Sequence, residues 1–75
     1  MAAFGQAVRK AREQRAMSPS DLSSASSLPR GRKMSARRIG RIEAGEVDTR
    51  FEELIALADA LGVTAGELVG DAEQP

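Results

Sequence analysis

Arg37, Arg38 and Arg41 stand within Ser35-Ala36-Arg37-Arg38-Ile39-Gly40-Arg41-Ile42-Glu43-Ala44-Gly45. This stretch reads as one short helix, with a serine of N-cap type at its start and a glycine stop. Ile39 and Ile42 are three positions apart and share a face, while the arginines project mainly from the others. Guanidinium chemistry is anion and acceptor recognition: its parallel N–H donors fit a phosphate, or the O6 and N7 of a guanine. A helix that docks by one side and offers cations on the other can enter DNA. A solvated basic face on a core helix has the same pattern.

The rest of the composition removes other chemistries. With no Cys and no His, there is no thiol nucleophile, imidazole base, disulfide or usual zinc ligand. Seventy-five residues make one domain with too little interior for a core beside a typical substrate pocket. The expectation is a protein that is not an enzyme, with no metal, no cofactor and no small-molecule ligand. No run approaches the ~20 apolar residues of a membrane span, and early Arg9, Lys10 and Arg12 leave no room for a signal-peptide core. A cytoplasmic protein that does not engage a membrane is expected.

Overall charge is zero, yet it is segregated. Residues 1–41 carry ten Lys or Arg against Glu13 and Asp21, net +8; residues 42–75 carry Arg50 against nine acids, net −8. Either the positive half attracts phosphates while the negative half is held away, or the two halves match each other within the molecule.

The elements that must hold these arginines are all helical. Phe4, Val8 and Ala11 recur at spacings of four and three, so Phe4 to Arg15 reads as an amphipathic helix. Ser18-Pro19-Ser20-Asp21 supplies a cap, a first-position proline and an acid three residues after the cap, starting a second helix that runs to about Ser26 or Leu28. Leu28 to Met34 connects it to the Ser35 cap, with Pro29 and Gly31 as breakers. Thr49-Arg50-Phe51-Glu52 reads as a capping box for a fourth helix that carries Phe51, Leu54, Ala58 and Leu61 to Gly62. Thr64-Ala65-Gly66-Glu67 reads as another, opening a short last helix. One domain over residues 1–70 and a fraying polar tail over 71–75 follow.

Five helices in this order resemble the Cro and lambda-type repressor helix-turn-helix family, also called the XRE family, over about residues 4–69. Three segments carry the resemblance: Met17-Ser18 with Leu22; Ile39-Gly40-Arg41-Ile42-Glu43-Ala44-Gly45; and Leu54 to Leu68, containing Leu57-Ala58-Asp59-Ala60-Leu61-Gly62-Val63-Thr64 and Glu67-Leu68. The resemblance implies an all-α, compact five-helix lambda-repressor-like domain whose third helix lies in the major groove of double-stranded DNA. By position it puts Ala36, Arg37 and Arg41 at base edges, with Arg38 close enough to join them or take a phosphate. It further implies backbone contacts from Ser18, Ser20 and Ser35 at helix starts. An ion pair between Arg12 and Glu43 is also implied, making Glu43 a scaffold residue and not an acid catalyst.

Two departures stand out. Pro19 occupies a position where the family often has a glutamine that bonds both a phosphate and the third helix; proline has neither a side-chain amide nor an N–H. The second is the turn, which runs thirteen positions from Leu22 to Ser35, about six more than members of the family usually have. Within it, Pro29-Arg30-Gly31-Arg32-Lys33 is similar to the core of an AT-hook, though without the second proline. Three readings stay open for Arg30, Gly31, Arg32 and Lys33: phosphate contact, insertion into an A·T minor groove, or a solvated connector.

What the resemblance implies in function is a sequence-specific transcriptional regulator, a bacterial or phage-type repressor occupying an operator. A homodimer, formed in solution or only on DNA, would suit a pseudo-palindromic site, with Val63, Leu68 and Val69 as interface or core residues. The alternative is a protein-interaction module of the same fold, an antitoxin-like partner docking through its acidic half.

Overall fold

Helix α1 (Ala2–Gln14) buries Phe4, Ala7, Val8 and Ala11 along one side, as the three- and four-residue spacing requires. In the computed structural model, which describes residues 2–73, it is followed by α2 (Pro19–Ala25), a single 3-10 turn (Pro29–Gly31), α3 (Ala36–Glu43), α4 (Phe51–Leu61) and α5 (Ala65–Glu73). The described residues contain no strand. α1 lies at the centre of the packing, against both α3 and α5.

Local codes set most boundaries. α1 stops at Ala16, which takes a left-handed φ of 53° while the Met17 N–H reaches back to the Arg12 carbonyl. Ser18 and Asp21 form a reciprocal capping box at α2, and Thr64 and Glu67 do the same ahead of α5. Gly45 and Gly62 end α3 and α4 with φ values of 73° and 71°. α2 closes at Ala25, one residue short of the near end of the sequence expectation, with Ser26 as its C-cap. α5 continues to Glu73, past the domain limit drawn at residue 70, and the rest of the polar tail lies outside the described residues.

The core joins Val8 to Leu22, Met34, Ile39, Ile42, Leu57, Leu61 and Leu68, all within 2 % of full burial. Each such side chain contributes roughly 1.5–3 kcal/mol by leaving water. Gly5 belongs to this core for want of a side chain: a Cβ there would collide with the Ile42 and Glu43 carbonyls, so α1 and α3 touch backbone to backbone. That contact fixes how α3 is held.

α4 differs from the sequence reading in two respects. Its N-cap is Arg50, one position after Thr49, and the Arg50 N–H donates to Glu53 Oε1 at 2.8 Å without a hydroxyl cap. Phe51, at helical spacing with Leu54, Ala58 and Leu61, does not share their side and is 76 % exposed. The buried arc of α4 runs through Glu53, Ala56, Leu57, Ala58 and Leu61, and Phe51 lies about 120° around the helix from Leu57. A spacing of three and four was real, but the arc is rotated away from its first member.

Candidate nucleic-acid interface

α3 is oriented by two isoleucines. Ile39 and Ile42 are 0 % and 1 % exposed, which turns Arg37, Gly40, Arg41 and Ala44 outward along one stripe at i, i+3, i+4 and i+7. Ser35 Oγ accepts the Arg38 N–H at 3.0 Å and starts the helix. Among the described residues, neither Arg37 nor Arg41 has a side-chain hydrogen bond or ion pair. Ala36 is half-buried at the same end. Gly40 sits between the two arginines on the exposed stripe, and a Cβ built on it would meet nothing. An interior helical glycine costs about 1 kcal/mol relative to alanine.

Arg38 is turned elsewhere. Its Nε and Nη2 donate to Glu53 Oε2 and Oε1, both at 2.9 Å, and Nη2 also reaches the Asp48 carbonyl at 2.8 Å. By these bonds it ties α3 to the start of α4. Burial pushes the Glu53 carboxyl up, but the bonds from Arg38 and the Arg50 N–H outweigh this and hold it below the usual carboxylate range. Donating to Glu53 in turn raises the Arg38 guanidinium.

The enlarged loop has a defined path. Leu28 is half-buried against the core and Met34 is fully in it. Ser23 Oγ donates to the Met34 carbonyl. Lys33 Nζ donates to the Ser24 and Ser26 carbonyls at 3.1 and 2.9 Å, capping the end of α2. Arg32 donates to Glu52 Oε2 at 2.9 Å and to the Pro29 carbonyl at 3.1 Å. The tip is Arg30-Gly31, with φ of 64° and 71°. Of Arg30, Arg32 and Lys33, then, only Arg30 is an exposed cation with no partner among the described residues.

At the start of α2, Ser18 Oγ accepts the Asp21 N–H at 3.0 Å while Asp21 Oδ2 takes the Ser18 N–H at 2.9 Å. The Ser18 N–H and, after it, the Ser18 hydroxyl lower the Asp21 carboxyl. An anion arriving at this helix end would meet a carboxylate already there. Ser20 is exposed. The start of α3 holds no acid in its first turn, and Ser35 is exposed, so its free first-turn N–H groups remain open to an anion.

Arg12 grips Glu43 with two parallel bonds, Nε to Oε2 at 2.8 Å and Nη2 to Oε1 at 3.0 Å, and its Nη1 reaches the Met17 carbonyl at 2.8 Å. The hydrogen bond with Glu43 raises the arginine further above its ordinary range. With Arg32–Glu52 and Arg38–Glu53, three cations of the basic half are matched by the acidic half. Charge matching within the molecule is thus real, and it spares the outward arginines of α3.

A separate apolar groove of about 240 Å³ is lined by Phe4, Thr49, Phe51, Leu54 and Val69. Leu68 is buried in the core, and Val63 packs against it half-buried. Among the described residues no group of three His, Cys, Asp or Glu could hold a metal ion, and no helix is long and apolar enough to cross a membrane.

Compared with known proteins, residues 3–70 match the model of a helix-turn-helix domain. Among solved structures, the clp gene regulator ClgR from Corynebacterium glutamicum superposes with a TM-score of 0.82 at 25% identity, over 95% of this chain and 69% of that one. The restriction-modification controller protein C.AhdI from Aeromonas hydrophila gives 0.78 at 27% identity, over 89% and 92%. ComR from Streptococcus suis gives 0.71 at 31% identity, over 87% of this chain and 19% of that one. No curated protein matches the chain by sequence.

Proposed function

The chain belongs to the helix-turn-helix domain family, and from that membership we propose that it is a sequence-specific double-stranded DNA-binding regulator of transcription, a repressor that acts by occupying an operator. The observation that carries this reading is the pair Arg37 and Arg41, unengaged on the outward stripe of α3 and opposite the isoleucines that anchor it. In the proposal α3 enters the major groove, where each arginine reads a guanine through O6 and N7 with discrimination of ~1–3 kcal/mol. Ala36 adds a small apolar contact at the entry to the groove. Arg38 is assigned to positioning, because Glu53 already takes its Nε and Nη2 donors. Ser35 and the open start of α3 take a phosphate, Arg30 takes another from the loop tip, and Ser18 and Ser20 are weaker backbone contacts beside Asp21.

The similar structures include proteins named as a gene regulator and a controller protein, which supports a regulatory role. A homodimer on a pseudo-palindromic site is part of the proposal. Exposed Phe51 and Ile55 beside the groove that Val69 lines are its best-placed surface.

Selection of bound duplexes from a random pool, followed by titration of the winner at several salt concentrations, tests the reading. Several phosphate contacts should reduce affinity by about 10³-fold between ~50 and 200 mM salt. No salt-sensitive duplex affinity would overturn it in favour of a protein-docking module of the same fold.

A further inference from the structure

We propose that Gly40 is a specificity-determining position, an apolar notch that seats the 5-methyl group of a thymine between the two bases read by Arg37 and Arg41; this rests on the DNA-binding reading of α3. Gly40 is the one outward residue between those arginines, three positions after Arg37 and one before Arg41. Four other glycines have structural reasons: Gly5 would collide with α3 if it carried a Cβ, and Gly31, Gly45 and Gly62 adopt positive φ. Gly40 has neither, because it is helical and a Cβ there meets open space.

Open space alone is not evidence of a ligand, and Gly66 and Gly70 of α5 also face no close neighbour. What separates Gly40 is its setting. It interrupts a stripe that presents two unpartnered guanidiniums, so a groove entered by both arginines passes over the bare Cα. The penalty of a glycine within α3 is offset by nothing in the protein, and a close approach by the bound partner is what a missing Cβ permits. The notch offers no outward donor or acceptor, since the backbone groups there serve the helix. Of the major-groove base-edge groups, the thymine methyl is the one with no hydrogen-bonding capacity. A methyl needs room and apolar contact, and the Gly40 Cα supplies both.

The experiment compares the parent, Gly40→Ala and Gly40→Ser on the selected duplex and on versions in which each thymine in turn is replaced by deoxyuracil, which removes only the methyl. Gly40→Ala should raise the melting temperature by about 4 °C, because alanine is the better helix former, which shows that any lost binding is not lost folding. On the parent duplex both variants should bind at least tenfold more weakly. At one thymine, deoxyuracil should weaken the parent about threefold and restore most of the affinity of Gly40→Ala. Binding by Gly40→Ala within twofold of the parent overturns the assignment, as does a weakened variant that deoxyuracil rescues at no position. A parent with no salt-sensitive affinity for any duplex overturns the DNA-binding reading together with this one.

Discussion

Arg38 and Glu53 are joined by two parallel hydrogen bonds of 2.9 Å that bridge α3 to the first turn of α4. Glu53 is 6 % exposed and accepts the Arg50 N–H as well, so one carboxylate holds a neighbouring helix and caps its own. This makes Arg38 a part of the frame that aims its neighbours.

Removing the carboxylate should be expensive. Glu53→Ala leaves a guanidinium and a helix-start N–H without their acceptor, and a loss of about 3 kcal/mol is expected, the lower end for a buried pair because the Arg38 side chain keeps 31 % exposure. Urea unfolding measures it. Arg38→Ala should weaken binding to all duplexes alike, whereas Arg37→Ala or Arg41→Ala should leave stability within about 0.5 kcal/mol and relax preference at one base pair each. A loss of base preference confined to one position in Arg38→Ala would return that arginine to the groove.

The same pair gives stability an acid limb. Glu53 is held below its ordinary range in the folded protein, so the unfolded chain takes up a proton first as pH falls. Its contribution is therefore full above the unfolded value of about 4.3 and disappears as pH drops through the lower folded value. Asp21, lowered by the Ser18 N–H and hydroxyl, acts in the same direction from an exposed site. Unfolding free energy measured at pH 6 and pH 3 should fall between the two, and Glu53→Gln should flatten the difference. An unchanged acid slope in that variant would assign the limb to other carboxylates.

Which parts of this arrangement were legible in the sequence follows the range of the interactions. Ser35, the Ser18/Asp21 box and the Thr64/Glu67 box were readable because a cap and its partner are three residues apart. Phe4, Val8 and Ala11 were readable because a helix converts spacing into a face. Charge type and outward placement singled out Arg37 and Arg41. The partner of Arg38 was not readable, since Glu53 is fifteen residues away on another helix and nothing local distinguishes it from Glu52. The exposure of Phe51 was not readable from spacing, because the rotation of α4 is set by what Leu57 and Leu61 pack against. The basic loop left phosphate contact, minor-groove insertion and a solvated connector open. Its anchors, Met34 in the core and Lys33 on the end of α2, are tertiary and invisible to a motif. Gly5 carried one signal, a glycine inside an amphipathic helix, that could have marked a close helix contact.

Arg12 and Glu43 allow a test of the frame at the far end of α3. Their side chains are 11 % and 8 % exposed, and Glu43→Ala is expected to destabilise by about 3 kcal/mol. Arg12→Lys should recover little, because an ammonium cannot make two parallel bonds to the carboxylate while also holding the Met17 carbonyl. A double-mutant cycle reads the coupling directly. A melting temperature of Glu43→Ala within error of the parent would show the pair to be idle.

Arg30 separates the readings of the basic loop. Arg32 is tied to Glu52 and Lys33 to the carbonyls ending α2, so only one loop cation is available to DNA without breaking a contact. A single cation on a phosphate predicts that Arg30→Ala lowers the salt slope by about 1 and weakens A·T-flanked and G·C-flanked sites equally. Insertion into a narrow minor groove predicts instead a larger loss at A·T flanks. The left-handed φ of 64° at Arg30 supplies an internal control, since only glycine adopts it without strain. Arg30→Gly should match Arg30→Ala in lost affinity while unfolding about 1 kcal/mol less readily. If the two variants are equally stable, the loop tip does not hold this conformation; if both bind as tightly as the parent, the tip does not reach the DNA.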